Sequence, residues 1–155
     1  MKIEKEKTLK ITPPDGYEVD KEKSTFDNIV FKRVDEVVVI KWDARHCGVE
    51  IKSNGEHFII GAYQPSYCCS WNDAVRYHST NKPWVIPTVK QLHVLAKHLD
   101  KVNEVIREYK GYEILGCLWS CEEDGSSAWC VDVDDGLAFC ILNCSYSHVR
   151  AVYAL

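Results

Sequence analysis

The last third of the chain, residues 116–152, reads GCLWSCEEDGSSAWCVDVDDGLAFCILNCSYSHVRAV and constrains the fold more than any other stretch. Trp119 and Ser120 open it, Ala128 and Trp129 begin an alternating run, Asp135 and Gly136 turn the chain, and Val149 to Val152 close it on apolar residues. Period-two alternation on both sides of a turn signal predicts an edge, a hairpin and a return strand. Between residues 111 and 149 stand seven acidic residues and no Lys or Arg. A face of that sign repels phosphate backbones, so nucleic acid is excluded as its partner and neutral, aromatic or basic partners are expected.

With 155 residues the chain has the length of one domain with one core. Its 46% hydrophobic and 27% charged residues and its net charge of -4 belong to an ordinary globular protein. No apolar run approaches the roughly 18 residues of a membrane span, so no membrane insertion is expected. The start, MKIEKEKTLK, is charged where a secretory leader is apolar. The expectation is a chain that begins at Met1 and is cytoplasmic at synthesis, with virion association as a later fate. Eight Cys include no CxxC pair, and Cys117/Cys121 and Cys140/Cys144 are four apart, roughly 13 Å along a strand. That is too far to share one zinc ion, so free, half-buried thiols, no metal and no cofactor are expected. Cys68 and Cys69 point to opposite faces if extended.

Along the chain, residues 1–36 form an arm. Pro13, Pro14, Asp15 and Gly16 make a turn, and Leu9, Ile11, Ile29 and Phe31 alternate around it, which reads as a short hairpin or a solvated leader. An arm of this kind can also bring copies together as a homo-oligomer. The domain proper is 37–155, and the β-branched run Val37 to Trp42 is its first core strand. Asn54 and Gly55, between two apolar-rich runs, mark a two-residue hairpin. Ser70 with Asp73, and Thr88 with Gln91, are capping boxes that start helices. After Thr88, the positions Leu92, Leu95, Leu99, Val102, Ile106 and Tyr109 make one amphipathic stripe with a break near Asp100. His93 and His98 lie on different faces of it and read as surface histidines. Trp71, Asn72 and Asp73 spell a calcium-ligating tripeptide of sugar-binding lectins, but at a helix start this is a chance match.

Trp71 and Ala74, then Trp84, Pro87, Thr88, Gln91 and Leu92, then Trp119, Ser120, Ala128, Trp129 and Gly136, then Val149 to Val152 together resemble one family. It is the Legionella collagen-like-protein C-terminal domain family, which reads WxxA, WxLPTxxEL, YWSS, AWxVxxDG and YVRAV. Ile86, Leu118, Cys121 and His148 depart from those motifs. The resemblance implies an α+β, C-type-lectin-like fold of the formylglycine-generating-enzyme-like branch, with two helices and a mixed, mainly antiparallel sheet and no calcium sites. It also implies that Trp84, Trp119 and Trp129 are core residues. The layout is similar to that of the variable proteins of diversity-generating retroelements, which display a randomised ligand-binding face. Cys, Ser, Tyr, His, Asp, Asn, Phe, Leu and Ile, which are among the products of such rewriting, are abundant between Leu118 and His148.

The function expected is a non-enzymatic module binding a protein or glycan ligand. The alternatives are a structural part of a phage or cell-surface fibre and, behind it, a formylglycine-generating-type enzyme, for which no Cys stands in a matching motif. The ligand face depends on the hairpin register. A two-residue loop, Asp135 and Gly136, opposes Asp134 to Leu137 and groups Cys130, Asp132, Phe139 and Ile141; a three-residue loop opposes Val133 to Leu137 and Cys130 to Cys140. The first is expected, because the family pattern puts a core residue at Ala138. It predicts an outward face of Leu118, Cys130, Asp132, Phe139, Ile141, Tyr146 and His148, with Trp129, Val131, Val133, Ala138, Cys140 and Leu142 inward. Arg150, between apolar neighbours, is expected to pair with one of Glu113, Glu122, Glu123, Asp132, Asp134 or Asp135.

Overall fold

A computed structural model describes residues 12–14, 17–25, 29–33, 38–64 and 68–155, and the chain divides into two compact units, residues 1–36 and 37–155. In the first unit β1 (Tyr17–Val19) pairs antiparallel with β2 (Phe31–Arg33), Val19 opposite Phe31. Asp20 ends β1 because its carboxylate accepts from the main-chain N–H of Glu22 at 3.1 Å and of Lys23 at 3.2 Å. The turn expected at Pro13 to Gly16 and its partners Leu9 and Ile11 fall largely outside the described residues.

The second unit runs β3 (Val39–Asp43), β4 (Gly48–Ser53), β5 (Glu56–Gly61), β6 (Cys68–Ser70), α1 (Trp71–Thr80), β7 (Trp84–Val85), α2 (Val89–Lys97) and α3 (Leu99–Glu108). It continues with β8 (Cys117–Asp124), β9 (Ser127–Asp132), β10 (Ala138–Leu142), β11 (Tyr146–His148) and β12 (Val152–Ala154). The class is α+β, as expected, but three helices stand where two were expected. Two five-stranded sheets stand where one was expected, ordered β3-β4-β5-β12-β7 and β10-β9-β8-β11-β6. Every pairing is antiparallel except β11 with β8.

Local chemistry explains most of the elements. Asn54 and Gly55 take φ of 51° and 75° and join β4 to β5 in the two-residue turn, with Ser53 opposite Glu56. The Ser70 hydroxyl accepts from the Asp73 N–H at 3.2 Å and starts α1. Thr88 and Gln91 form a reciprocal capping box at the start of α2. The long amphipathic stripe is two helices, because His98, with φ -119° and ψ 17°, ends α2 and precedes α3. His98 is therefore not a plain surface residue: it is half-buried, and its Nε2 lies 3.0 Å from the hydroxyl of fully buried Ser53. Tyr109 leaves the stripe, since it is exposed and stacks on Trp42 at 4.2 Å. β3 is a half-buried outer strand rather than a core strand.

Two apolar clusters hold the unit. The larger joins Val49, Ile51, Phe58 and Ile60 of one sheet to Leu118 and Val131 of the other through Leu92, Leu95, Val102 and Ile106 of the helices. The smaller packs Trp71 and Ala74 of α1 against Trp119, Ala128 and Cys130 on the opposite face of the second sheet. Trp119 is fully buried and its indole N–H donates to the Cys69 carbonyl at 2.9 Å. Trp84 and Trp129 are only half-buried, so of the three tryptophans expected in the core Trp119 alone is enclosed.

Arg150 corrects a second expectation. Its guanidinium is fully buried and donates to three main-chain carbonyls, Gly61 at 3.1 Å, Tyr112 at 3.0 Å and Glu113 at 3.1 Å, rather than to any of the six carboxylates considered. Glu113 gives its carbonyl to Arg150 and its carboxylate to Arg107.

Replacing Trp119 by Ala is expected to cost roughly 3 to 5 kcal/mol in urea unfolding, and Trp129 by Ala clearly less, because only the first empties an enclosed space. Arg150→Met leaves buried carbonyls without a donor and is expected to cost roughly 3 kcal/mol or more. An unchanged unfolding midpoint for Arg150→Met would show that those carbonyls find other partners.

Candidate functional site

The C-terminal strands form the region where the sequence places its ligand face, and their register decides what it displays. β9 and β10 pair Val131 with Ala138, Cys130 with Phe139, Trp129 with Cys140, Ala128 with Ile141 and Ser127 with Leu142. This is neither of the two registers considered. The loop has four residues, 133–136, closed by the Asp132 N–H donating to the Leu137 carbonyl at 2.9 Å and the Gly136 N–H donating to the Asp132 carbonyl at 2.7 Å. Two side chains make the longer loop favourable: Asp132 Oδ1 accepts from the Asp134 N–H at 3.0 Å, and Asp135 Oδ1 from the Leu137 N–H at 2.9 Å. Gly136 supplies the positive φ of 77°, while Val133 turns into the larger core. Val133 is inward in the two-residue register as well, so the bonds to those amides are what distinguish the longer loop.

The register sorts the seven expected ligand residues onto opposite faces of the sheet. Cys130, Asp132, Phe139 and Ile141 share one face with Trp119; Leu118, Tyr146 and His148 share the other, since His148 pairs in parallel with Leu118. Leu118 and Cys130 are fully buried, so neither is outward. Leu118 enters the larger cluster under α2; Cys130 lies in the smaller one, its thiol donating to the Phe139 carbonyl at 3.5 Å. Asp132 and Ile141 are half-buried, Phe139 is 37% exposed and Tyr146 is 72% exposed. Of the residues expected inward, Val131 and Val133 are buried, but Cys140 and Leu142 are exposed.

A continuous row remains on one face of the outer strand: Leu137, 64% exposed, then Phe139, then Ile141. Leu137 was missed by the sequence reading, although the same period of two that groups Phe139 with Ile141 extends to it. The row is framed by acids. Asp132 shares its face, and Asp134 and Asp135 stand exposed at the turn, where Asp134 Oδ2 accepts from the Gly116 N–H at 2.9 Å.

On the opposite face, strand pairing brings His148 against Cys68, with Cys68 Sγ 3.5 Å from Nδ1. Cys68 is exposed and Cys69 buried, as opposite faces require. Sequence separation hid this pair, because only the β6–β11 pairing makes residues 80 apart neighbours. All eight cysteines are free thiols, and among the described residues no group of three or more His, Cys, Asp or Glu is disposed to hold a metal ion. No described helix is long and apolar enough to cross a membrane.

Compared with known proteins, the sequence matches no family model, and no curated protein is significantly similar to it.

Burial pushes the Cys130 thiol up to about 12 from its ordinary 9.0, with the nearby Cys117 and Cys140 thiols and the Asp132 carboxylate adding to the effect. The folded chain thus holds a proton that the unfolded chain releases above about pH 9, and stability falls as pH rises from there toward 12. Urea midpoints taken from pH 8 to pH 11 are expected to fall less steeply for Cys130→Val than for the native protein. Parallel slopes would place the titrating group elsewhere.

Proposed function

We propose that the protein is a non-enzymatic binding module that takes an extended segment of a partner protein along β10. The observation that carries this reading is the row of exposed Leu137 and Phe139 and half-buried Ile141 on the outer strand of a sheet, bordered by Asp132, Asp134 and Asp135. An outer strand offers main-chain N–H and C=O groups to an added strand, and a row of apolar side chains at alternate positions reads the side chains of that strand. Apolar residues grouped in this way mark an interaction site. The acidic border selects a segment with basic residues beside its apolar ones, because opposite charge steers the encounter and like charge rejects competitors.

A C-type-lectin-like scaffold goes with this reading. It is supported by the fate of the motif residues, since Trp71, Ala74, Leu92, Trp119, Ala128 and Val149 to Val152 are all buried. A diversified recognition face is compatible with Phe139, Ile141 and Tyr146, which reach the surface, and not with Leu118 and Cys130, which do not.

A peptide library panned on the immobilised protein is expected to enrich sequences that alternate apolar and basic residues. Phe139→Ser is expected to weaken those peptides by about 2 kcal/mol, as for a central contact, while leaving the urea midpoint nearly unchanged. Added salt should weaken them further. Enriched peptides that bind Phe139→Ser as tightly as the native protein would remove this face from the proposal.

A further inference from the structure

His78 lies in the last turn of α1, is 4% exposed, and finds no hydrogen-bond partner among the described residues at either ring nitrogen. A neutral imidazole carries one N–H donor and one bare acceptor, and buried atoms of that kind are bonded in most folded proteins. The ring meets Tyr77 edge-on at 5.0 Å, which satisfies neither nitrogen. Burial holds the imidazole below its ordinary titration range.

The same ring lines a cleft of about 450 Å³, bordered also by Trp71 and Val75 of α1, by Lys82 and Ile86 on the way into α2, and by Cys121 of β8. That volume is in the range of small-molecule sites. Its walls are mostly apolar, and Lys82 is the one ionised side chain among the described residues that line it. Glu122 already accepts from the Val89 N–H at 3.0 Å in the first turn of α2, so the attraction for an anion comes from Lys82 and not from that helix end. Trp71 is held in place by its indole N–H donating to the Ser120 carbonyl at 2.8 Å, which gives the cleft a fixed aromatic wall.

The geometry points to a small-molecule site in this cleft, one that takes a compact aromatic or branched carboxylic acid. Its apolar body lies against Trp71, Val75 and Ile86, its carboxylate pairs with Lys82, and the imidazole of His78, whose nitrogens lie below the surface, turns to donate its N–H to it. An apolar cleft with a few convergent polar groups is the usual form of such a site, and the ligand satisfies a buried donor that the protein leaves unbonded. The cleft uses no residue of the β10 row, so it stands or falls independently of peptide binding there.

Protein carrying ¹³C at histidine Cε1 tests this by titration with phenylacetate, with benzyl alcohol and acetate as controls. The expected result is a saturable shift of one histidine signal by phenylacetate, that signal being the one lost in His78→Gln. Affinity should drop about tenfold in His78→Gln, as for loss of a hydrogen bond to a charged group, and a few-fold in Lys82→Ala. Val75→Trp, which fills the cleft, should abolish the shift while its far-ultraviolet circular dichroism stays native. A His78 signal unmoved by millimolar phenylacetate overturns the site. Equal binding of benzyl alcohol overturns the carboxylate assignment, and equal binding of acetate overturns the apolar one.

Discussion

The second unit depends on a buried cation bonded to main-chain carbonyls. Arg150 stands between β11 and β12, and its fork reaches the carbonyl that ends β5 and two carbonyls of the connection from α3 to β8. The segments it joins are distant in sequence, so the bonds form only when the last strand is in place. Desolvation lowers the guanidinium from 12.5 to about 10, yet it stays charged at neutral pH and keeps its donors. An ammonium is a compact point charge and does not reproduce a planar fork aimed at three fixed acceptors. Adjacent bonds secure the same junction: the Ala151 N–H donates to Gln64 Oε1 at 3.0 Å, and the Gly61 N–H donates to the Ala151 carbonyl at 3.1 Å.

Once the last strand is fixed, the helices cover the second sheet unevenly. α2 packs on the face that carries Leu118 and Val131, and α1 on the face that carries Trp119 and Cys130. Cover is complete over Leu118 to Ser120 of β8 and Cys130 and Val131 of β9, where successive residues pointing to opposite faces are all buried. It fails at β10. The strand holds five consecutive apolar residues, Ala138 to Leu142, none of them fully buried. The row on β10 is therefore a consequence of a sheet wider than the helices laid on it, and the cleft beside His78 is lined by α1 and the chain entering α2.

The bulge in β8 between Trp119 and Glu123 connects these features. A bulge re-aims side chains and interrupts pairing. Here it frees the Ser120 carbonyl for Trp71 and lets the Cys121 N–H donate to the Pro87 carbonyl at 2.9 Å, so that α1 and the segment leading into α2 both fasten to β8.

What the sequence determined by itself is the local chemistry. The Asn54–Gly55 turn, the Ser70 and Thr88 caps, the helical stripe and the alternation through β9 and β10 each rest on contacts within a few residues, which is why spacing alone disclosed them. The break in the stripe was legible too, since it was expected near Asp100 and falls at His98. The partners of Arg150 and the Cys68–His148 pair rest on residues far apart in sequence, and no local pattern encodes them. The hairpin register shows the boundary most plainly. Alternation told that Phe139 and Ile141 share a face, since every register keeps that parity. Which residues stand opposite one another, and that Leu118 and Cys130 are enclosed while Leu137 is not, was decided by tertiary packing and by the four-residue loop whose amides bond to Asp132 and Asp135.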